Sequence, residues 1–182
     1  MAPRLESEAR VADLNKAILY VLRNEDRTMS GVVTTDRGGK TRYGIAQKYH
    51  PEVEPSFYTC TNLGALGEAQ QIYKNSYCKP LSLAGIDSQP IANKLLDIGV
   101  NCGLDSAGIM AQTGANTLGA ILKVDGKLGP VSVAAINKVD ANKLMGQLIV
   151  LSQIHYRAVA LRDHASPDEI ASWLTRAGKP GI

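Results

Sequence analysis

The sequence predicts a mainly α-helical fold that carries one small β-hairpin. Three observations point there. Apolar residues recur at helical spacing, as at Val11, Leu14, Ile18 and Val21, or at Ile91, Leu95, Leu96 and Ile98. Aromatic residues make up 5% of the chain against 45% apolar, so a core must come mostly from Leu, Ile, Val and Ala, which suits packed helices. The helical period is lost over a Thr- and Gly-rich stretch, Arg27 to Arg42. A length of 182 residues suffices for one domain with a real core, or two small lobes sharing one. The net charge of +3 fits an anionic polymer as partner but is too small to argue for nucleic acid.

The elements follow in order. Ser7 to Arg23 reads as an amphipathic helix, with Arg10, Asp13 and Lys16 opposite the apolar face. Glu25 falls at or just past its end, beside the negative pole of the helix dipole, which disfavours the carboxylate. A carboxyl that holds its proton longer than usual is what a general acid needs. Position alone fits a solvated surface glutamate better. Val32-Val33 and Lys40 to Tyr43 read as two short strands joined through the turn signal Asp36-Arg37-Gly38-Gly39. Gly44 to Tyr49 reads as a short helix ended by His50-Pro51, and Glu52 to Thr61 as a connector. His50 has no His or Cys at ligand spacing and reads as a loop residue; no metal and no cofactor is expected.

Leu63 to Tyr77 is a further helix and Lys79 to Asp87 a loop. Ser88-Gln89-Pro90 caps an apolar helix through Val100 that should be the most buried of all. A helix from Asp105 to Ile121 carries Gly108, Gly114 and Gly119, small residues that suit close helix packing. After the turn Val124 to Pro130 comes a short helix through Ala135. Asp140 then caps a long helix to Arg162, with Leu144, Leu148, Leu151 and Ala158 inward. Ser166-Pro167-Asp168-Glu169 is a capping box for a final helix with Trp173 and Leu174, stopped at Gly178.

Cys60, Cys78 and Cys102 are odd in number and read as reduced thiols, at least one of them buried; a single disulfide is the other possibility. The first ten residues carry acids where a signal peptide needs an apolar run, and no stretch reaches membrane-spanning length. The chain is therefore expected to be made and to fold in the cytoplasm, without stable membrane insertion. A target outside would need another device to release it.

Several of these stretches together resemble glycoside hydrolase family 108, peptidoglycan-cleaving muramidases that include many phage endolysins. The family pattern E-G-G followed by D-x-G-G-x-T-x-x-G-I is similar to Glu25, then Asp36-Arg37-Gly38-Gly39, Thr41 and Tyr43-Gly44-Ile45. Glu68 to Tyr73 with Tyr77 resembles the next family helix, and Asp97 to Gly103 its D-x-x-V-N-x-G. Asp125 to Pro130 resembles the D-G-x-x-G-P turn of a C-terminal peptidoglycan-binding region, and Trp173-Leu174-Thr175-Arg176 its W-x-x-R. The chain departs from the pattern at Glu25-Asp26-Arg27, in a longer Glu25 to Asp36 spacing, and at Cys78, where the family commonly has Trp.

The resemblance implies a lysozyme-like helical fold with the hairpin beside the active site. It implies a catalytic region over 1–86 and a helical peptidoglycan-binding-like region over 87–182, packed into one body. It implies cleavage of the β-1,4 bond between N-acetylmuramic acid and N-acetylglucosamine, with Glu25 as acid, Asp36 as base and Thr41 placing the water. Inversion is expected by analogy with phage lysozymes that use an acid, an aspartate and a threonine. Tyr43, Asn101 and Gln112 are candidate sugar contacts, with packing, helix-capping and solvated roles as their alternatives. The same analogy brings Arg176 of the last helix towards Glu25, with Trp173 beneath it and Arg23 and Arg27 left to solvent. Peptidoglycan is the implied partner of a monomer acting in the periplasm, with a holin-like pore for release. A lytic transglycosylase using the same Glu, or a non-catalytic wall-binding scaffold, are the competing readings.

Overall fold

The computed structural model describes residues 11–36 and 39–182, Asp36 by its backbone alone. Helix α1 spans Leu14–Glu25. It starts later than the spacing suggests because Asp13 acts as its N-cap, accepting from the backbone N–H of Asn15 at 2.8 Å. Val11, expected on the inner face, precedes the helix and is 50% exposed. Residues 7–10 of the expected helix lie outside the described residues. Ala17, Ile18, Val21 and Leu22 form the buried face.

Three short antiparallel strands follow: β1 Thr34–Asp36, β2 Gly39–Arg42 and β3 Ile45–Ala46. Thr34 pairs with Thr41 and Asp36 with Gly39. The first strand therefore lies beyond Val32-Val33, where the pattern put it, and the tip residues Arg37 and Gly38 lie outside the described residues. Ile45 and Ala46 form a strand where a helix was expected. Tyr43 (φ 51°) and Gly44 (φ 75°) are both left-handed, the geometry of a two-residue hairpin turn, and a helix cannot begin there. The turn pairs Arg42 with Ile45 directly.

The rest is helical: α2 Asn62–Tyr73, α3 Gln89–Cys102, α4 Leu104–Thr117, α5 Pro130–Lys138, α6 Ala141–Asp163 and α7 Pro167–Ala177. A π-helical turn, Lys74–Cys78, prolongs α2. The spine is α3, where every residue from Ile91 to Gly99 is buried, as its apolar run predicts. Ser88 makes no side-chain cap bond; Gln89 instead ties α3 to the start of α1 through the N–H and C=O of Asp13. Helix α4 stops at Thr117, short of Ile121, because the Asn116 amide pairs with both the N–H and the C=O of Leu122. Helix α5 runs past Ala135 to Lys138. On α6, Leu144 and Leu148 are buried but Ala158 is exposed. The capping box of α7 is present, with Ser166 and Glu169 each bonded to the other's backbone.

One cluster of buried apolar side chains runs from α1 and α2 through α3 to α4 and α6. Cys60, Cys78 and Cys102 are free thiols. Cys78 is buried, and burial pushes its thiol up to about 11.

Helix α4 packs against the Asp125–Pro130 turn at Gly108, where a Cβ would overlap the Gly126 carbonyl oxygen. A backbone obstacle cannot rotate away. Gly108→Ala should therefore lower stability by about 1–3 kcal/mol, read by chemical denaturation.

Candidate active site

Glu25 is the last residue of α1, and its position follows from how the helix ends. The N–H of Asp26 still bonds Leu22, and the chain then turns into the loop that feeds β1. Glu25 is partly buried, its side chain 18% exposed. Three elements press on it. Gly44 of the hairpin turn comes so close that a Cβ there would lie 2.5 Å from the Glu25 Cγ. Tyr73 of α2 is buried and donates to the Tyr43 carbonyl at 2.9 Å, holding that turn in place. Arg176 of α7 donates from Nη2 to Glu25 Oε1 at 2.6 Å.

Arg176 is shared. The same Nη2 donates to Asp97 Oδ1 of α3 at 2.8 Å, and Nε donates to that oxygen at 3.1 Å. Asn24 adds a bond to Asp97 Oδ1 at 3.2 Å. Burial works against the Arg176 charge, but Asp97 and Glu25 outweigh it and raise its pKa. Burial likewise raises the Tyr73 hydroxyl well above its ordinary value, and the Glu25 charge adds to the rise, so Tyr73 is a neutral hydrogen-bond donor here.

The loop after Glu25 is organised by Asp26. Its carboxylate accepts from the Gly31 N–H at 2.6 Å and from the hydroxyls of Thr28 and Ser30 at 3.0 and 3.2 Å. Burial is the largest single influence and opposes the Asp26 charge, but these donors together outweigh it and hold the pKa below the usual Asp range. A side chain thus closes the turn that a Gly-Gly pair would otherwise allow. Buried Arg42 fixes the other side, donating to the carbonyls of Gly31, Phe57 and Cys60 at 2.8, 2.8 and 3.0 Å.

Between helix end, loop and sheet lies an open cleft of about 260 Å³. Glu25, Asp26, Ser30, Thr34, Thr41 and Tyr43 all line it, and Arg27 lies at it with an exposed side chain. The structure therefore brings Glu25, Thr41 and Tyr43 to one place. Tyr43 is buried, its hydroxyl bonded to Asn62 and, at 3.4 Å, to the Met29 carbonyl. The Asp36 backbone sits two residues beyond Thr34 on β1; its side chain lies outside the described residues.

Two other candidates lie away from the cleft lining. Asn101 is exposed on α3 and donates to the Asp97 carbonyl one turn back, at 2.9 Å. Gln112 is buried, with both ends of its amide used by the turn after α4. It accepts from the N–H groups of Asp125 and Gly126 and donates to Asp125, Lys127 and Ser132. It is neither a solvated glutamine nor free for a sugar. Trp173 stacks on Tyr156 with centroids 5.9 Å apart. Arg23 is exposed. His50 lies in a loop, as expected, and is buried there, with Nδ1 2.9 Å from Glu52 and Nε2 2.9 Å from the Tyr77 hydroxyl. Tyr77 in turn packs on Tyr73. Among the described residues, no group of three His, Cys, Asp or Glu is placed to hold a metal ion.

Sequence reasoning missed Asp97, Tyr73 and Gly44 as site residues. Each lies in a motif that was singled out, but their parts depend on contacts between distant segments.

Residues 20–103 match the model of a protein family described as Glycosyl hydrolase 108. That span includes Glu25, the whole sheet and α3 with Asp97, and ends before α4. Among curated proteins, no match to the chain is found. Among solved structures, the chain is similar to Brucella abortus SagA. The identity is 18% and the TM-score 0.62, over 90% of this chain and 92% of that one. At that identity the likeness shows a shared fold.

Two outcomes follow from the geometry. Gly44→Ala strains a left-handed position and pushes on Glu25, so cleavage should fall at least ~10-fold in turnover assays, while far-UV circular dichroism stays helical. Asp26→Asn should lose about 1 kcal/mol at neutral pH. Because the folded-state pKa of Asp26 is depressed, its stabilisation is present above the ordinary Asp value, about 3.9, and fades as pH falls through the lower folded value. Urea melts between about pH 5 and pH 2 should show a shallower acid loss in the variant than in the parent.

Proposed function

We propose, from the match of residues 20–103 to the glycosyl hydrolase 108 model, that the protein is a peptidoglycan hydrolase with Glu25 as its general acid. The observation that carries the reading is the setting of Glu25: a partly buried carboxyl facing an open cleft, walled by a hairpin and backed by a partly buried cation.

In this reading the glycan lies along the cleft, with the β-1,4 bond between N-acetylmuramic acid and N-acetylglucosamine over Glu25. The Glu25 carboxyl donates its proton to the glycosidic oxygen as the C–O bond breaks. Water adds to the anomeric carbon, and its proton passes to Asp36, with Thr41 holding the water. Glu25 leaves the step as a carboxylate, and Arg176 at 2.6 Å stabilises that charge as it forms. Tyr43 and the hairpin turn shape the cleft floor. The family supports a glycosyl hydrolase; the polymer, the bond and the residue roles are the proposal.

Glu25→Gln keeps the shape and removes the transferable proton. Cleavage of purified peptidoglycan should fall about 10²- to 10⁴-fold with little change in thermal midpoint. The products should be analysed by mass spectrometry in water enriched in heavy oxygen. One heavy atom at each new reducing end is the expected result. Anhydro ends without label would make the protein a lytic transglycosylase, and no products would leave a wall-binding scaffold.

A further inference from the structure

We propose that Asp97 is a positioning residue that sets how strongly Arg176 acts on Glu25. The inference rests on the reading of Glu25 as the acid and adds a residue to it.

A general acid beside a cation faces a conflict. The cation helps the carboxylate that forms on proton donation, but it also hinders the carboxyl from keeping its proton beforehand. The geometry answers the conflict by sharing. Of the three bonds that the Arg176 guanidinium makes to carboxylates, two go to Asp97 Oδ1 and one to Glu25 Oε1. Asp97 is the more buried partner, its side chain 4% exposed against 18% for Glu25. It sits mid-way along α3, and Asn24 steadies its oxygen from α1. The Arg176 charge is thus largely matched by a fixed anion, and Glu25 meets the remainder.

The surroundings carry other charges. Tyr73 and Tyr77 face Glu25 from α2 and the π-helical turn, with Asp26 and Arg27 following it in the loop. Lys94 and Cys102 face Asp97 from the same helix, Tyr20 from α1 and Tyr156 from α6. The Lys94 ammonium is committed to the Ala177 carbonyl at 2.7 Å, and Lys179 to Asn24 at 2.8 Å. None of these donates to both carboxylates; Arg176 does. Among the described residues, neutralising Asp97 leaves Arg176 with Glu25 as its one carboxylate partner.

The test is the pH profile of reducing-end release from purified peptidoglycan. The parent, Glu25→Gln, Asp97→Asn, Arg176→Gln and the double variant Asp97→Asn/Arg176→Gln are compared. The alkaline limb of such a profile reports the general acid. In Asp97→Asn the limb should move down by about 1 pH unit, and in Arg176→Gln up by a similar amount. In the double variant, which removes both buried charges together, it should return to within about 0.5 unit of the parent. A merely structural Asp97 would lower activity at every pH and leave the limb in place, which would overturn the proposal. If Asp97→Asn does not fold, the double variant against Arg176→Gln decides. A limb that reverts toward the parent supports the shared arrangement, and one that stays at the Arg176→Gln position overturns it. An active Glu25→Gln would remove the acid reading and this proposal together. An inactive one with an unmoved Asp97→Asn limb would remove this proposal alone.

Discussion

The guanidinium of Arg176 holds the two ends of the chain to one point. It reaches Glu25, 151 residues earlier, and Asp97 between them. Arg176 is partly buried, and a desolvated cation without partners is costly, so the two carboxylates favour docking of α7 at this place. Neighbouring polar groups on α3 reinforce that docking. Lys94, fully buried, donates to the Ala177 carbonyl, and Asn93 donates to the Gly181 carbonyl at 2.7 Å. An otherwise apolar helix thus carries a polar strip that the C-terminal segment satisfies together with Asn24 and Gln89. Such a strip specifies register more than it adds stability, because apolar replacements would pack as well from any angle.

The same logic explains the front of the site. Glu25 could not stay put at a frayed helix end. Gly44 presses on it from a turn that only a small residue can make, and Tyr73 pins that turn through a carbonyl. Asp26 replaces backbone flexibility with a ring of hydrogen bonds, and Arg42 spends its charge on three carbonyls under the sheet. The result is a carboxyl whose neighbours are each held by a second residue, which is how a site keeps its geometry while one wall stays open to a polymer.

Much of this was legible in the sequence, and the reasons are local. The run Ile91 to Val100 announces a buried helix because apolar burial is read by composition alone. Ser166 and Glu169 announce a cap because the bonds lie three residues apart. Glu25 could be singled out because a motif and a helix end coincide there. The misses are of another kind. Gly44 to Tyr49 reads as a helix because nothing local announces a left-handed Tyr43; that turn is held by Tyr73, thirty residues away. Gln112 looked solvated because its partners arrive from the turn after the helix. His50 lies in a loop as read, but its burial against Tyr77 is not legible locally, because that partner lies on a different element. The Asp97 part in the site depends on Arg176, and no spacing rule spans that distance.

The most direct measurement is a crystal structure of the Glu25→Gln variant with a peptidoglycan tetrasaccharide bound. The expected result is a glycan along the cleft, with a glycosidic oxygen within about 3 Å of the residue-25 side chain and Arg176 still between that residue and Asp97. A glycan bound elsewhere, for example in the apolar hollow of about 610 Å³ lined by Ala160, Leu161 and Ile170, with the cleft empty, would contradict the assignment of the site.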